Sequence, residues 1–187
     1  ADYAFQQHIM KSLNPETGRC VVLWPHGVLF RDSEAEIRKR MIEEDYVDAV
    51  IGLGKNLFYN SSMESCLLVC RMKKNKERKG KIIFINAVNE IRIDRSMAYL
   101  NDDHISRIAK SYKSFRDESG FSRVASTKEV LDNGGNLSIP LYVKITNESQ
   151  QESVKSILKD LRQSHETTNQ SMETLFNQLH ELGIEKD

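Results

Sequence analysis

Three nearly uninterrupted apolar runs, Cys20–Trp24, Val47–Leu53 and Ser65–Met72, constrain the fold of this chain more than any other feature. Runs with so little polar alternation suit strands buried on both faces of a sheet, which needs helices packed against it. A helix fits between the first two runs. Ser33-x-x-Glu36 reads as a capping box, and Ile37, Met41 and Ile42 share one side of a segment reaching Glu44. Strand, helix, strand in that order implies a right-handed crossover within an α/β body. Further along, Asn101 or Asp102 caps a helix whose Ile105, Ile108, Ala109, Tyr112 and Phe115 form one apolar stripe, most simply core. Ser126-x-x-Glu129 repeats the capping box, and Gly134-Gly135 ends that short helix.

Two loops follow the ends of buried strands, where open α/β sheets place their ligands: Pro25-His26-Gly27 and Lys55–Ser62. The second carries Phe58-Tyr59 among Asn56, Asn60, Ser61 and Ser62. Aromatic faces beside amide and hydroxyl groups suit a planar group that is stacked and hydrogen-bonded at its edges. The bland alternative is that Phe58 packs under its own loop. His26 is most simply a turn residue, and no Ser/His/Asp or Cys/His constellation is legible.

The block from Leu23-Trp24-Pro25-His26-Gly27-Val28-Leu29-Phe30-Arg31 through Val50-Ile51-Gly52-Leu53 and Asn56-Leu57-Phe58-Tyr59 to Cys66-Leu67-Leu68-Val69 resembles the modification (M) subunits of type I restriction enzymes. These are DNA adenine-N6 methyltransferases. An aromatic-rich helix, Asp2–His8, precedes the block, and weaker similarity runs on through Lys81–Ala87, Asp103-His104-Ile105 and Asn136–Val143. The resemblance covers about residues 2–145. It implies the C-terminal half of a Rossmann-like S-adenosylmethionine-dependent methyltransferase sheet, with Ser65–Met72 antiparallel as in the family's final hairpin. A small helical region and a long C-terminal coiled-coil helix follow. The expected divisions are 1–87 for the α/β half-domain, 88–146 for the helical extension and 147–187 for the assembly helix.

By position in the motif, Phe58 and then Tyr59 would stack on the target base, with Asn56 and Asn60 as polar loop contacts. Phe5 and Pro25 would lie near the cofactor edge. The family's Gly-rich cofactor loop and its Asn-Pro-Pro-aromatic motif do not occur here, since Pro15, Pro25 and Pro140 are the only prolines. Gly52-Leu53-Gly54 lacks the third glycine and the immediate helix of a cofactor loop. The expectation is a fragment that neither carries the catalytic residues nor binds S-adenosylmethionine by itself, although the full-length protein would use it. Implied partners are DNA, a DNA-specificity subunit and a restriction subunit, in the cytoplasm of a bacterium or archaeon. The alternative reading is a non-catalytic DNA-binding or assembly module with a degenerate methyltransferase fold.

Composition restricts the other classes. No apolar run approaches the ~18–20 residues of a membrane span. Cys20, Cys66 and Cys70 each sit inside an apolar run and read as buried small hydrophobes rather than metal ligands. Net charge is zero, but Arg71–Lys81 holds seven cations against Glu77 alone. That run reads either as a solvated hairpin turn or, through Lys73, Lys74 and Lys76, as a contact for DNA phosphates.

The tail has its own pattern. Val154, Leu158, Leu161, His165, Thr168, Met172, Leu175, Leu179 and Leu182 follow alternating steps of four and three, the seam of a coiled coil. Ser149-x-x-Glu152 would cap it, Gly183 would stop it, and Asn147–Gln151 reads as a linker. Leu158, Leu161, Met172, Leu175 and Leu179 are therefore the expected subunit-docking residues, with self-association as a substitute when the partner is absent. A sheet lacking its first strands would also expose a flank that invites pairing with a second copy.

Overall fold

A computed structural model of the chain describes residues 2–58, 61–94, 97–144 and 154–181. The chain divides into two compact units, Ala1–Thr146 and Asn147–Asp187. The first is built on a five-stranded sheet of β1 (Arg19–Pro25), β2 (Val47–Leu53), β3 (Ser65–Arg71), β4 (Lys81–Ala87) and β7 (Ser122–Ser126). Their order across the sheet is β1-β3-β2-β4-β7. β3 is antiparallel to both β1 and β2, β4 is parallel to β2, and β7 is antiparallel to β4. The third apolar run thus lies between the first two, antiparallel as expected. A separate ribbon pairs β5 (Arg92–Asp94) with β6 (Met97–Tyr99).

Burial follows position in the sheet. Every residue of central β2 is buried, Asp48 among its otherwise apolar residues. β1 instead alternates between exposed and half-buried, leaving Val21 and Leu23 open. The expectation of burial on both faces fails for this strand, because only β3 pairs with it among the described residues.

One face of the sheet is well covered. Tyr3 and Met10 of α1 (Asp2–Ser12), Met41 and Ile42 of α2 (Ala35–Glu43) and Val130 of α4 (Thr127–Asp132) pack on Val50, Leu68, Ile82 and Phe84. Phe84 stacks on Tyr142 with ring centroids 3.9 Å apart, and burying a side chain of that size contributes about 1.5–3 kcal/mol. The opposite face is covered by α3 (Asp102–Ser114). Ile108, Tyr112 and Phe115 meet the sheet there, but Ile105 remains 50% exposed. The helix stands off enough to leave an apolar groove of about 540 Å³ over Val21, Leu67 and Val69. The stripe read as core is therefore only partly enclosed.

Helix starts agree with the sequence in two cases of three. The Asn101 side chain accepts from the His104 amide at 2.9 Å, and Ser126 Oγ accepts from the Glu129 amide at 3.1 Å. Gly134 and Gly135, both at φ 70°, turn the chain after α4 as expected. Ser33 caps nothing. A 3-10 turn at Asp32–Glu34 runs directly into α2 and moves its N-cap to Glu34. Arg38 of that helix is buried and donates to the carbonyls of Gly135 (2.8 Å), Arg31 (3.1 Å) and Val28 (3.3 Å), tying three loops together.

The second unit contains α5 (Val154–Glu181). Leu158, Leu161, Met172 and Leu175 are exposed on it, and Leu179 is half-buried. The expected linker Asn147–Gln151, the capping box Ser149-x-x-Glu152, Leu182 and Gly183 lie outside the described residues. No described helix is long and apolar enough to cross a membrane.

Candidate functional site

Because β1 and β2 run in the same direction, their C-terminal ends and the start of β3 meet at one end of the sheet. Both predicted loops are brought together there. Lys55 and Glu64 stand at the two ends of the second loop, and their charged groups approach to 3.8 Å. Glu64 also faces His26 Nδ1 of the first loop at 3.6 Å. Asn56 adopts φ 59°, a left-handed conformation that asparagine tolerates better than most residues. The chain then turns back at Phe58, whose carbonyl accepts from the Ser61 amide at 3.1 Å. Phe58 is 38% exposed, large for a phenyl ring that was to pack beneath its own loop. Tyr59 and Asn60 lie outside the described residues.

Two polar atoms at this end are buried without a hydrogen-bond partner among the described residues: His26 Nε2 and Ser65 Oγ. Leaving such a group unpaired costs roughly 1–3 kcal/mol, and the two lie on opposite faces of the sheet, His26 Nε2 on the Gly52 side and Ser65 on the Leu53 side. His26, read as a turn residue, opens a 3-10 turn (His26–Leu29) and is half-buried there. Its ring nitrogen lies close over Gly52, where a Cβ would come within 3.7 Å of it.

The glycines of Gly52-Leu53-Gly54 serve the chain's own packing. A Cβ at Gly52 would fall 2.7 Å from Ile139 Cδ1, and one at Gly54 would fall 2.5 Å from the Val88 carbonyl. The space a nucleoside or methionine moiety would need is filled by protein, so these residues do not fit a cofactor cradle. Of the two residues assigned to a cofactor edge, Phe5 is 65% exposed on α1, and Pro25 is exposed at the end of β1.

The basic run is at the other end of the sheet. A strand of seven residues spans about 20 Å, which separates Arg71–Lys81 from Phe58. The run is not a hairpin turn, since β3 and β4 are not neighbours. It crosses beneath the start of β2, and the acids there hold it. Lys74 has a side chain only 1% exposed and donates to Asp45 and to the Lys81 carbonyl, each at 2.7 Å. It is therefore withdrawn as a phosphate contact. Lys73 is exposed but paired with Glu16, and Lys76 is exposed.

The strongest electrostatic cluster is one the sequence did not announce. Asp48, fully buried at the start of β2, accepts at Oδ2 from Tyr112 Oη (2.6 Å), Arg78 (2.9 Å) and Arg71 (3.0 Å). Arg78 also lies over the rings of Tyr112 and Phe115, 4.6 and 4.5 Å from their centroids. Burial, and then the Asp48 carboxylate, raise the Tyr112 phenol above its ordinary pKa. This cluster locks α3 and the crossing loop to the sheet. No group of three or more His, Cys, Asp or Glu placed to hold a metal occurs among the described residues. The three cysteines are free, with Cys66 and Cys70 buried and Cys20 half-buried.

Comparison with known proteins agrees with this architecture. The profile of the family described as N-6 DNA Methylase matches residues 1–151. The chain is 34% identical to the type I restriction enzyme MjaVIII methylase subunit of Methanocaldococcus jannaschii, over 98% of this chain and 32% of that protein. It is 31% identical to the MpnII methylase subunit of Mycoplasma pneumoniae, over 83% of this chain and 28% of that protein. The chain thus spans about a third of the length of the curated relatives it matches. Among solved structures, the methyltransferase subunit of a type I restriction-modification system from Streptococcus thermophilus superposes with a TM-score of 0.72 at 38% identity, covering 76% of this chain and 30% of that one. The EcoKI M protein shares the fold, with a TM-score of 0.58 at 15% identity over 93% of this chain and 44% of that one.

Proposed function

The chain belongs to the N-6 DNA methylase family, and from that premise we propose that it is the target-base portion of the modification subunit of a type I restriction-modification system. The whole subunit would methylate the exocyclic N6 of adenine in DNA. That atom is inaccessible in a stacked duplex, so the base must be extruded, at a cost of a few kcal/mol. The observation that carries the reading is the Asn56–Ser61 turn. It presents a substantially exposed Phe58 ring at the end of the sheet where the first loop also arrives, through the His26–Glu64 contact.

In this reading residues 1–87 hold β1–β4 and offer the loop, 88–146, expected as a helical extension, complete the same sheet with β7 and brace it, and 147–187 dock the subunit. Phe58 stacks on the extruded adenine, with Tyr59 as its neighbour and Asn56 and Asn60 at the base edge. S-adenosylmethionine, the methyl donor implied by the family, has no cradle among the described residues, and we assign its binding to the rest of the subunit. Phe5 and Pro25, both exposed, are assigned to the edge of that site. The partners are DNA, a DNA-specificity subunit and a restriction subunit, met in the cytoplasm. The α5 seam of Leu158, Leu161, Met172, Leu175 and Leu179 forms a coiled coil with the specificity subunit. Lys76, and Lys73 where Glu16 releases it, remain the candidates for DNA phosphate contact.

Phe58→Ala in the intact subunit with its partners tests the assignment. Lost stacking should lower single-turnover methylation by ~1–3 kcal/mol of transition-state binding, or roughly 5- to 150-fold. Affinity for the methyl donor should change little. Equal rates for variant and wild type would remove Phe58 from the role.

A further inference from the structure

The β5–β6 ribbon is the least explained element of the first unit. Ile93, Met97 and Tyr99 are 66%, 56% and 42% exposed, and Arg92 and Asp94 are exposed beside them. In this register Ile93 pairs with Ala98, while Arg92–Tyr99 and Asp94–Met97 face the other way, so apolar surface is open on both faces. A two-stranded ribbon of this kind is marginal in water by itself. Its attachment is specific. The Ala98 amide donates to the Asn56 carbonyl at 3.1 Å, and Ile91, just before the ribbon, packs against Gly54. The ribbon is thus hydrogen-bonded to the same left-handed residue that launches the Phe58 turn.

We propose that this ribbon enters the DNA duplex beside the extruded adenine, with Ile93 and Met97 packing against the disturbed base steps and Arg92 meeting the phosphate backbone. The inference rests on the target-base reading of the Phe58 loop and adds to it the element that helps open the duplex. Three observations favour DNA as the occupant. The ribbon is bonded to the base-holding turn, so any duplex that delivers a base to Phe58 lies next to it. Two paired strands have the width that the major groove admits. Exposed Ile and Met are side chains that proteins insert between base steps to unstack them.

The test uses the intact subunit with its specificity partner and the double variant Ile93→Ser/Met97→Ser. Neither residue is in the core, and a thermal melt and co-purification with the partner establish that fold and assembly survive. Two target duplexes are compared, one with the adenine paired to thymine and one with an abasic site opposite it, which removes the cost of unpairing. Single-turnover methylation is read on each, and base extrusion is read by fluorescence on matched duplexes in which 2-aminopurine, which cannot accept the methyl group, replaces the target adenine. The proposal expects the variant to lose about tenfold on the paired duplex, corresponding to ~1.4 kcal/mol, and to recover to within about twofold of wild type on the abasic duplex. An unchanged rate on both duplexes overturns it. An equal loss on both also overturns it, and assigns the ribbon to protein contacts instead. Phe58→Ala, run in parallel, should lose activity on both duplexes because stacking is needed either way. If Phe58→Ala matches wild type, the target-loop reading fails, and this outcome is separate from the result for the ribbon.

Discussion

Replacing Asp48 with alanine tests whether the buried charge cluster holds the first unit together. Asp48 is fully buried and supplies one oxygen to three donors. Its removal leaves Arg78, whose side chain is only 12% exposed, and the Tyr112 hydroxyl without their acceptor. Breaking a buried pair from one side costs about 3–5 kcal/mol. Arg71 is 29% exposed, so water compensates part of its loss and the lower end of that range is expected. A destabilisation of about 3 kcal/mol should lower the melting temperature by roughly 6–12 °C for a unit of this size. Asp48→Asn keeps an oxygen acceptor and should cost less, about 1–2 kcal/mol. Urea unfolding of the 187-residue chain, followed by far-ultraviolet circular dichroism, measures both variants. A loss below about 1 kcal/mol for the alanine variant would refute the reasoning, since the cluster would then behave like a surface ion pair.

Isothermal titration with S-adenosylmethionine should give no micromolar binding to this chain, because Gly52 and Gly54 are packed against Ile139 and Val88; micromolar affinity would reverse the assignment of the donor site. Leu158→Asp with Leu175→Asp should abolish co-purification with the specificity subunit and leave the melting of the first unit unchanged, and undiminished complex formation would rule out this seam. Interaction with Cys70 lowers the Cys20 thiol to about 7, whereas burial raises Cys66 to about 12. Native alkylation should therefore modify Cys20 first, with a rate that rises through pH 7 as its thiolate forms, and faster labelling of Cys66 would contradict the structure.

The legible parts of the fold were those with a local cause. Val47–Leu53 is apolar apart from Asp48 because β2 is buried on both faces, and Asn101 and Ser126 cap because their side chains reach amides within the same turn. Ser33 misled because the capping pattern does not reveal the 3-10 turn at Asp32–Glu34 that displaces the helix start. The buried roles of Arg38, Lys74 and Asp48 were hidden because their partners come from other elements brought together by the fold; a charge pattern shows the charge and not its partner. β7 and the β5–β6 ribbon are too short to show a period. At the site, the Phe58 loop could be found from its strand-end position and aromatic pair. The convergence of His26 and Glu64 upon it depended on β3 inserting between β1 and β2, which spacing alone does not determine.

The most direct test of the central claim is photocrosslinking from the target position itself. A duplex carrying 5-iodouracil in place of the target adenine, bound by the intact subunit with its partners, places a reactive base wherever the extruded nucleotide lodges. Irradiation followed by peptide mapping should give crosslinks within Lys55–Ser62, centred on Phe58 and Tyr59, and Phe58→Ala should reduce their yield. Crosslinks confined to other segments, with none in Lys55–Ser62, would contradict the account.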